Sequence, residues 1–154
     1  MRLSKKGEYA IKALQTLTFS YKDKSNQHLH LREIAGREDI PVKFLEHIMA
    51  ALKRGGVVKS EKGKGGGYIL ARSPDEITLG EVIRLMDGPL SPIASADEIK
   101  EMIRRGDRDS GIYSFLLDVR DAVSQVLDKA TLEDLYTRNM ELSRAKKTYA
   151  MYHI

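Results

Sequence analysis

The stretch that could do chemistry most directly is a run of glycine and lysine at residues 59–70, KSEKGKGGGYIL. Glycine lets a backbone turn sharply and come close to a phosphate, because no Cβ stands in the way. The lysines supply positive charge at the same place. Three structures use such a run: a nucleotide-binding loop, a plain hairpin loop and a wing that contacts DNA.

The spacing of the glycines excludes the nucleotide-binding loops. A P-loop needs four residues between its glycines and ends in Lys-Ser or Lys-Thr, and a dinucleotide fold needs GxGxxG. The segment GKGGGY has neither pattern. A purely structural loop remains open, although it does not require three lysines, at Lys59, Lys62 and Lys64. The run therefore predicts a hairpin tip or a DNA-contacting wing.

Residues that commonly carry catalysis or bind metals are few and scattered. The chain has no cysteine, which excludes disulfides, thiolate nucleophiles and cysteine-ligated metals. His28 and His30 share a polar loop with no third ligand in view, so both are predicted to be solvated. The acids and the other histidines, His47 and His153, form no Ser-His-Asp or paired-carboxylate pattern. We predict no enzyme activity, no catalytic residue, no metal and no cofactor.

Composition indicates a globular protein with an uneven charge. The 154 residues are 42% hydrophobic and 31% charged. No apolar stretch approaches the roughly 18 residues of a membrane span, and the N-terminus lacks a signal-peptide pattern, which predicts a cytoplasmic location. Residues 1–72 hold 15 Lys and Arg against 7 acids, whereas residues 73–154 hold 11 against 15. A basic first half attracts polyanions, although a solvated surface has the same appearance.

Apolar periodicity in the first half predicts three helices. The first covers residues 5–21 with Ser4 as its N-cap, and a short second helix follows from Leu29. The third begins at Pro41, ends before Gly55 and buries one face. That face comprises Phe44, Leu45, Ile48, Met49 and Leu52. Such a pair of short helices is either a helix-turn-helix or an ordinary helical hairpin.

The segment after the third helix favours the helix-turn-helix. Residues 57–60 and 68–71 are predicted strands, and residues 62–67 form the tip between them. A hairpin directly after a helix-turn-helix makes a winged helix. The predicted fold is mainly α with a small β-hairpin wing, divided into a DNA-binding domain at 1–75 and a helical dimerisation and effector region at 76–154. Residues 73–77 are interpreted as the linker.

The second half contains one helix with a long apolar stripe. Thr78 caps a short helix, residues 97–110 are predicted to form a short exposed helix and a mobile loop, and a last helix runs from Thr131 to about Arg144. Between them, a helix at 111–129 carries an apolar face. That face comprises Ile112, Phe115, Leu116, Val119, Val123, Val126 and Leu127. This face is predicted to form the interface of a homodimer, or else to pack on its own domain.

Four segments together resemble the Rrf2 family of bacterial winged-helix regulators. They are MRLSKKGEYAIKAL, IPVKFLEHIMAALKRGGVVKSEKGKGGGYILAR, ITLGEVIRLMDGPLSP and VRDAVSQVLDKATLEDL. The resemblance covers nearly the whole chain, and the run from LEHIMAALKRGG to GGGYILAR is highly specific. It implies a homodimeric transcription factor that binds palindrome-like operators in double-stranded DNA.

The resemblance also implies which residues contact DNA. Glu46 falls where the family's recognition helix carries a base-reading Glu, and Lys62 falls where relatives place a wing Arg that enters the minor groove. Glu accepts from cytosine N4, whereas Lys and backbone N–H groups bind phosphates. The predicted DNA-binding residues are Arg2, Lys6, Tyr9, Lys43, Glu46, His47, Lys53, Arg54, Lys59, Lys62, Lys64, Gly65 and Gly66. Each could equally be an ordinary exposed residue, and Lys53 and Arg54 could serve the helix dipole.

The chain departs from relatives that sense iron–sulfur clusters. Those relatives carry three cysteines between the GPL turn and the long helix, and Ser95 and Ser110 align with the first and last of them. Tyr113 aligns with a fourth ligand, often histidine. Because serine hydroxyls are poor iron ligands, the resemblance implies no cluster unless the native protein has cysteine at both positions. A natural clusterless member and a chain whose cysteines were replaced are both open alternatives.

Clusterless members of the family include one that acts with O-acetylserine sulfhydrylase and that also ends in an aromatic residue followed closely by isoleucine. The final YHI resembles that ending. The resemblance implies that Ile154 and its carboxylate dock in the enzyme's substrate site. The overall prediction is a regulator that represses by covering promoter DNA. The alternative from another class is an interaction module whose winged helix no longer reads DNA.

Overall fold

The computed structural model describes residues 3–89, 95–106 and 108–152. None of the helices in these ranges has the length and apolarity that a membrane crossing requires. In chain order the elements are α1 (Lys5–Lys22), α2 (Leu31–Glu38), α3 (Val42–Arg54), β1 (Val58–Glu61), β2 (Gly67–Leu70), a 3₁₀ turn (Pro74–Glu76), α4 (Leu79–Asp87), α5 (Ala96–Arg104), α6 (Ser110–Lys129) and α7 (Leu132–Tyr152).

Helices α2 and α3 form the predicted helix-turn-helix, and α1 precedes them. Ser4 caps α1 as predicted, since its hydroxyl accepts the N–H of Gly7 at 2.9 Å. Between α2 and α3, Asp39 adopts a left-handed φ of 52°. The N–H of Ile40 then donates to the carbonyl of Ala35 at 3.0 Å. Pro41 follows, where its fixed φ favours the start of α3. This tight turn sets α3 directly against α2.

Helix α3 contributes four fully buried side chains to the core. Leu45, Ile48, Met49 and Leu52 recur at helical spacing and are all completely buried. Burying one such side chain stabilises the fold by about 1.5–3 kcal/mol. Because one face of α3 is buried in this core, its opposite face is exposed to solvent. Phe44 was predicted on the buried face, but its side chain is 39% exposed.

The wing is an antiparallel hairpin with a third partner. Val58 lies opposite Leu70 and Glu61 opposite Gly67, so each strand is displaced by one residue from its prediction. Leu29 pairs with Tyr68 through two backbone hydrogen bonds of 3.0 and 2.8 Å. Because Leu29 is extended, α2 begins at Leu31 rather than at Leu29. The segment between α1 and α2 is therefore attached to the wing.

The segment 73–77 is ordered structure, and its interpretation as a linker was wrong. Pro74 and Ile77 are buried, and a capping box joins Ser73 to Glu76. The carbonyl of Ile77 accepts from the N–H of Leu132 at 3.0 Å. One hydrophobic core therefore continues from the winged helix through Ile77 to Leu132. The division into two domains at residue 75 stays a prediction.

Helices α4 and α6 are joined by an ion pair. Both terminal nitrogens of Arg84 donate to the carboxylate of Asp128, at 2.6 and 2.9 Å. The hydrogen bonds from Arg84 hold the pKa of Asp128 below its ordinary value, although burial opposes this. Gly80 lies beside the same carboxylate, which leaves no space for a Cβ there. Asp128 thus fixes α6 against the face of α4.

The C-terminal elements differ from the prediction mainly in length. The predicted short helix is present as α5, with Ile99 buried, and α6 begins one residue early, at Ser110. The predicted Thr131 cap is confirmed, since its hydroxyl accepts the N–H of Asp134 at 3.1 Å. However, α7 continues to Tyr152, well past Arg144. The segment AKKTYAMY lacks glycine and proline, so nothing in it ends the helix.

Candidate nucleic-acid interface

The outward face of α3 presents three polar side chains together. Lys43, Glu46 and His47 are exposed and lie at i, i+3 and i+4, which places them on one side of the helix. Their position follows from the burial of Leu45, Ile48, Met49 and Leu52 on the other side. This face belongs to the second helix of a helix-turn-helix, the element that typically enters a major groove.

The start of α1 is attached to α3 by an aromatic pair. The half-buried ring of Tyr9 meets Phe44 edge to face, with centroids 5.6 Å apart. The ammonium groups of Lys5 and Lys12 lie 5.7 and 6.0 Å from the Tyr9 ring centroid. Tyr9 therefore orients the N-terminal turn against α3. Lys6 is half-buried on the same turn. Arg2 lies outside the described residues.

A carboxylate offsets much of the charge at this turn. Glu8 pairs with Lys5 at 3.0 Å and with Lys12 at 3.2 Å. Hydrogen bonds from these two ammonium groups, Lys5 first, lower the pKa of Glu8. Glu8 therefore stays ionised, and we expect most of the attraction for a polyanion to come from α3 and the wing.

The wing carries its lysines outward on a glycine-built turn. Lys59 on β1 and Lys62 and Lys64 at the tip are exposed. Gly63 and Gly65 adopt positive φ values of 94° and 81°, a conformation that other residues rarely take. The exposed Gly65 leaves backbone accessible beside Lys64. The tip is thus a narrow, cationic ridge.

Gly66 and Gly67 meet protein backbone rather than solvent. Gly66 is buried, and the carbonyl of Glu61 occupies the place of a Cβ. A Cβ on Gly67 would lie 2.5 Å from the carbonyl oxygen of Leu29, and its φ is 127°. The glycines in the second half of the run therefore let the chain close the hairpin and dock it on Leu29.

We expect Gly67→Ala to destabilise the fold by on the order of 2–3 kcal/mol, because it combines backbone strain with a clash against Leu29. Gly36→Ala is the matched control, since Gly36 lies in α2 with open space around it. That change should stabilise by about 1 kcal/mol through helix propensity. Urea unfolding monitored by circular dichroism measures both variants. Equal stability of the two proteins would contradict the described packing of the wing.

The end of α3 is connected to the wing by a hydrogen bond. The ammonium group of Lys53 donates to the hydroxyl of Ser60 at 2.6 Å. Lys53 is thus engaged within the protein, while Arg54 beside it is exposed. This bond couples the end of α3 to β1.

The expectation for the histidine pair was right for His30 and wrong for His28. His30 is exposed just before α2, but the His28 side chain is only 19% exposed. Its Nε2 lies 3.7 Å from a carboxylate oxygen of Glu61 on the wing. The pairing of Leu29 with Tyr68 draws this loop inward, which no local pattern indicated. No group of three or more potential metal ligands occurs in the described ranges.

The long helix α6 leaves part of its apolar face exposed. None of its residues is fully buried. Phe115 and Val126 are 66% and 67% exposed, and Ile112 and Val119 are also exposed. Leu116, Val123 and Leu127 are half-buried, and α6 as a whole packs on α4 and α5. An exposed row of large apolar side chains is typical of a protein–protein contact.

Comparison with known proteins gives consistent results. Residues 3–138 match the Rrf2 family, described as iron-dependent transcriptional regulators. The transcriptional regulator CymR of Bacillus subtilis is 36% identical over 135 residues, covering 88% of this chain and 89% of CymR. IscR of Pectobacterium carotovorum is 30% identical and covers 96% of this chain and 86% of IscR.

Solved structures of regulators share the fold. The structure of CymR, named the global cysteine regulator of B. subtilis, superposes with a TM-score of 0.74 at 32% identity and covers 90% of this chain and 98% of that one. IscR of T. potens gives a TM-score of 0.70 at 30% identity, covering 92% of this chain and 90% of that one.

The residues at the aligned cluster positions do not fit an iron–sulfur cluster. The chain supplies no cysteine. The Ser95 hydroxyl accepts the N–H of Glu98 at 3.3 Å and donates to the Glu98 carboxylate at 2.8 Å, so it caps α5. Ser110 is the first residue of α6, and Tyr113 is half-buried one turn later. The Ser95 side chain thus has a structural role, the capping of α5, that involves no iron.

Proposed function

Since the chain belongs to the Rrf2 family of transcriptional regulators, we propose that it acts as a cytoplasmic homodimer that represses genes by covering promoter DNA. The outward face of α3 would enter the major groove, and the wing would follow the adjacent minor groove or backbone. The chain has no cysteine ligand, so the regulator would work without an iron–sulfur cluster.

The observation that carries this proposal is the joint placement of α3 and the wing. Lys43, Glu46 and His47 lie on one face of α3, and the Lys53–Ser60 bond ties that helix to the strand that leads to Lys62 and Lys64. Lysines bind phosphates without regard to sequence, whereas Glu46 can accept a hydrogen bond from cytosine N4. The surface thus combines lysines that can bind DNA of any sequence with a glutamate that can distinguish between bases.

The homodimer is supported by the uncovered stripe of α6. Two copies that bury Ile112, Phe115, Val119 and Val126 against each other would remove these side chains from water. A symmetric dimer also presents two α3 helices, which matches a palindrome-like operator. A dimer that covers such a site would exclude other proteins from the same DNA, and this is the basis for proposing repression.

The proposal is tested by titrating a fluorescent duplex from the region upstream of the protein's own gene against a shuffled duplex of equal length. We expect tighter binding of the natural duplex and an affinity that falls steeply with salt, by roughly 0.9 log unit per log unit of salt for each phosphate contact. Equal, weak binding of both duplexes at all salt concentrations would instead favour an interaction module that does not read DNA.

The sulfhydrylase partner is a separate proposal, because Ile154 lies outside the described residues. If the Ile154 carboxylate occupies the enzyme's substrate site, deleting Ile154 should abolish binding of O-acetylserine sulfhydrylase, and adding O-acetylserine should displace the intact protein. Isothermal titration of the two purified proteins measures this. Binding that is unchanged by the deletion, or absent with the intact chain, would exclude this partner without affecting the DNA proposal.

A further inference from the structure

The last three turns of α7 extend beyond the packed body of the protein. Every residue from 141 to 152 is exposed, including the large side chains Leu142 and Tyr152. Short helical segments without tertiary contacts are only marginally stable in water, and most helices gain their stability from one covered face. A contact that covers one side of this segment would therefore stabilise it.

The apolar residues of α7 change from one side of the helix to the other along its length. In the first half they are Leu132, Leu135, Tyr136 and Met140, all buried or half-buried, and Tyr136 meets Phe19 of α1 with centroids 5.1 Å apart. In the second half they lie on a different side, which we call the α7 stripe. The α7 stripe consists of Leu142, Ala145, Tyr149 and Tyr152.

The two apolar sides point in different directions. At about 100° per residue, their mean directions differ by about 140°. A helix that merely continued its packing on α1 would place apolar residues near 143 and 147, but these positions hold Ser143 and Lys147. The sequence of the second half therefore turns its apolar side away from its own subunit.

We infer that the α7 stripe packs on a second copy of the chain and enlarges the contact formed by α6. This inference rests on the proposed homodimer. At about 1.5 Å per residue and about 10 Å in width, α6 covers on the order of 300 Å². A stable interface buries about 800 Å² of accessible surface on each partner, so a contact through a second element would bring the dimer closer to that size.

Apolar surface and charge both favour α7 as that second element. Of the 14 exposed large hydrophobic side chains among the described residues, seven lie on α6 or on the α7 stripe. Residues 138–152 carry four cations against one acid, whereas residues 95–129 carry eight acids against six cations. The end of α7 from one copy is thus complementary in charge to the α5–α6 region of the other.

Leu142→Asp tests this inference, with Met151→Asp as its matched control. The two side chains are 70% and 68% exposed on the same helix, but Met151 lies on the side opposite the α7 stripe. Sedimentation equilibrium of the full chain should show the dimer dissociation constant raised at least tenfold by Leu142→Asp. Met151→Asp should leave it within about twofold of the wild-type value. Far-ultraviolet circular dichroism checks that both variants keep equal helix content.

A third variant separates this inference from the proposed homodimer. If Phe115→Asp dissociates the dimer but Leu142→Asp does not, the α7 stripe does not contact the second copy, and the homodimer through α6 stands. Equal weakening by Leu142→Asp and Met151→Asp would also overturn the inference, because it would show no preference for one side of α7. A wild-type chain that is monomeric at micromolar concentration would overturn both.

Discussion

Replacing Lys62 and Lys64 together by alanine is expected to weaken binding to every duplex by at least tenfold at about 0.1 M salt. Both side chains are exposed at the wing tip, where glycines bring the backbone close to whatever the wing contacts. Each lysine that neutralises a phosphate contributes through release of counterions. The slope of log K against log salt should therefore fall by about two units, one for each lost contact.

Two comparisons make this prediction specific. Lys100→Ala with Lys129→Ala removes the same charge from exposed positions on α5 and α6, and it should change affinity less than threefold. Glu46→Ala should have the complementary effect: affinity for other sequences is retained, and discrimination at one base pair falls by about 1–3 kcal/mol. If the distant lysine pair weakened binding as much as the wing pair, only net charge would matter and the wing would have no direct role.

The second large effect is expected from Phe115→Asp on α6. Phe115 is 66% exposed in the single chain, and the proposed dimer buries it. An aspartate at a buried apolar contact must be desolvated without a partner, which costs several kcal/mol. The variant should be monomeric at micromolar concentration, and its affinity for a palindromic duplex should fall by two or more orders of magnitude because the two half-sites are no longer linked.

Gln125→Asp is the control for that experiment. Gln125 is exposed on α6 but lies away from the apolar stripe, so the variant adds the same charge to the same helix. It should stay dimeric and bind DNA as the wild type does. Light scattering coupled to size exclusion gives the mass of each variant, and anisotropy gives its affinity. A monomeric Phe115→Asp variant that still binds the palindrome at wild-type affinity would show that dimerisation and DNA binding are independent.

The parts of the fold that sequence patterns predicted are those with strong local periodicity. Leu45, Ile48, Met49 and Leu52 define the buried side of α3, and this pattern alone indicates that Glu46 faces outward. The hairpin was predicted from glycines between two short apolar runs, within one residue of its strands. Such signals are reliable because the spacing of the apolar side chains along the sequence matches the geometry of the helix or strand that they form.

The parts that were missed depend on contacts between distant segments. Leu29 resembled the start of a helix, but its pairing with Tyr68 keeps it extended and buries His28 against the wing. Residues 73–77 resembled a linker because they are polar, yet Ile77 pairs with Leu132 more than fifty residues later. Local propensity does not encode such partners. The extension of α7 to Tyr152 was missed because its charged residues were interpreted as a tail rather than as the exposed side of a helix.

The placement of α3 and the wing of two subunits along one duplex is tested most directly by hydroxyl-radical footprinting on the DNA upstream of the protein's own gene. The account predicts two protected patches related by a two-fold axis, with centres separated by one helical turn of about 10 bp or a whole multiple of it. Glu46→Ala should leave both patches in place on that DNA, and Phe115→Asp should remove them. A single asymmetric patch, or two patches whose centres are separated by a half-integral number of helical turns, would contradict this placement of α3 and the wing.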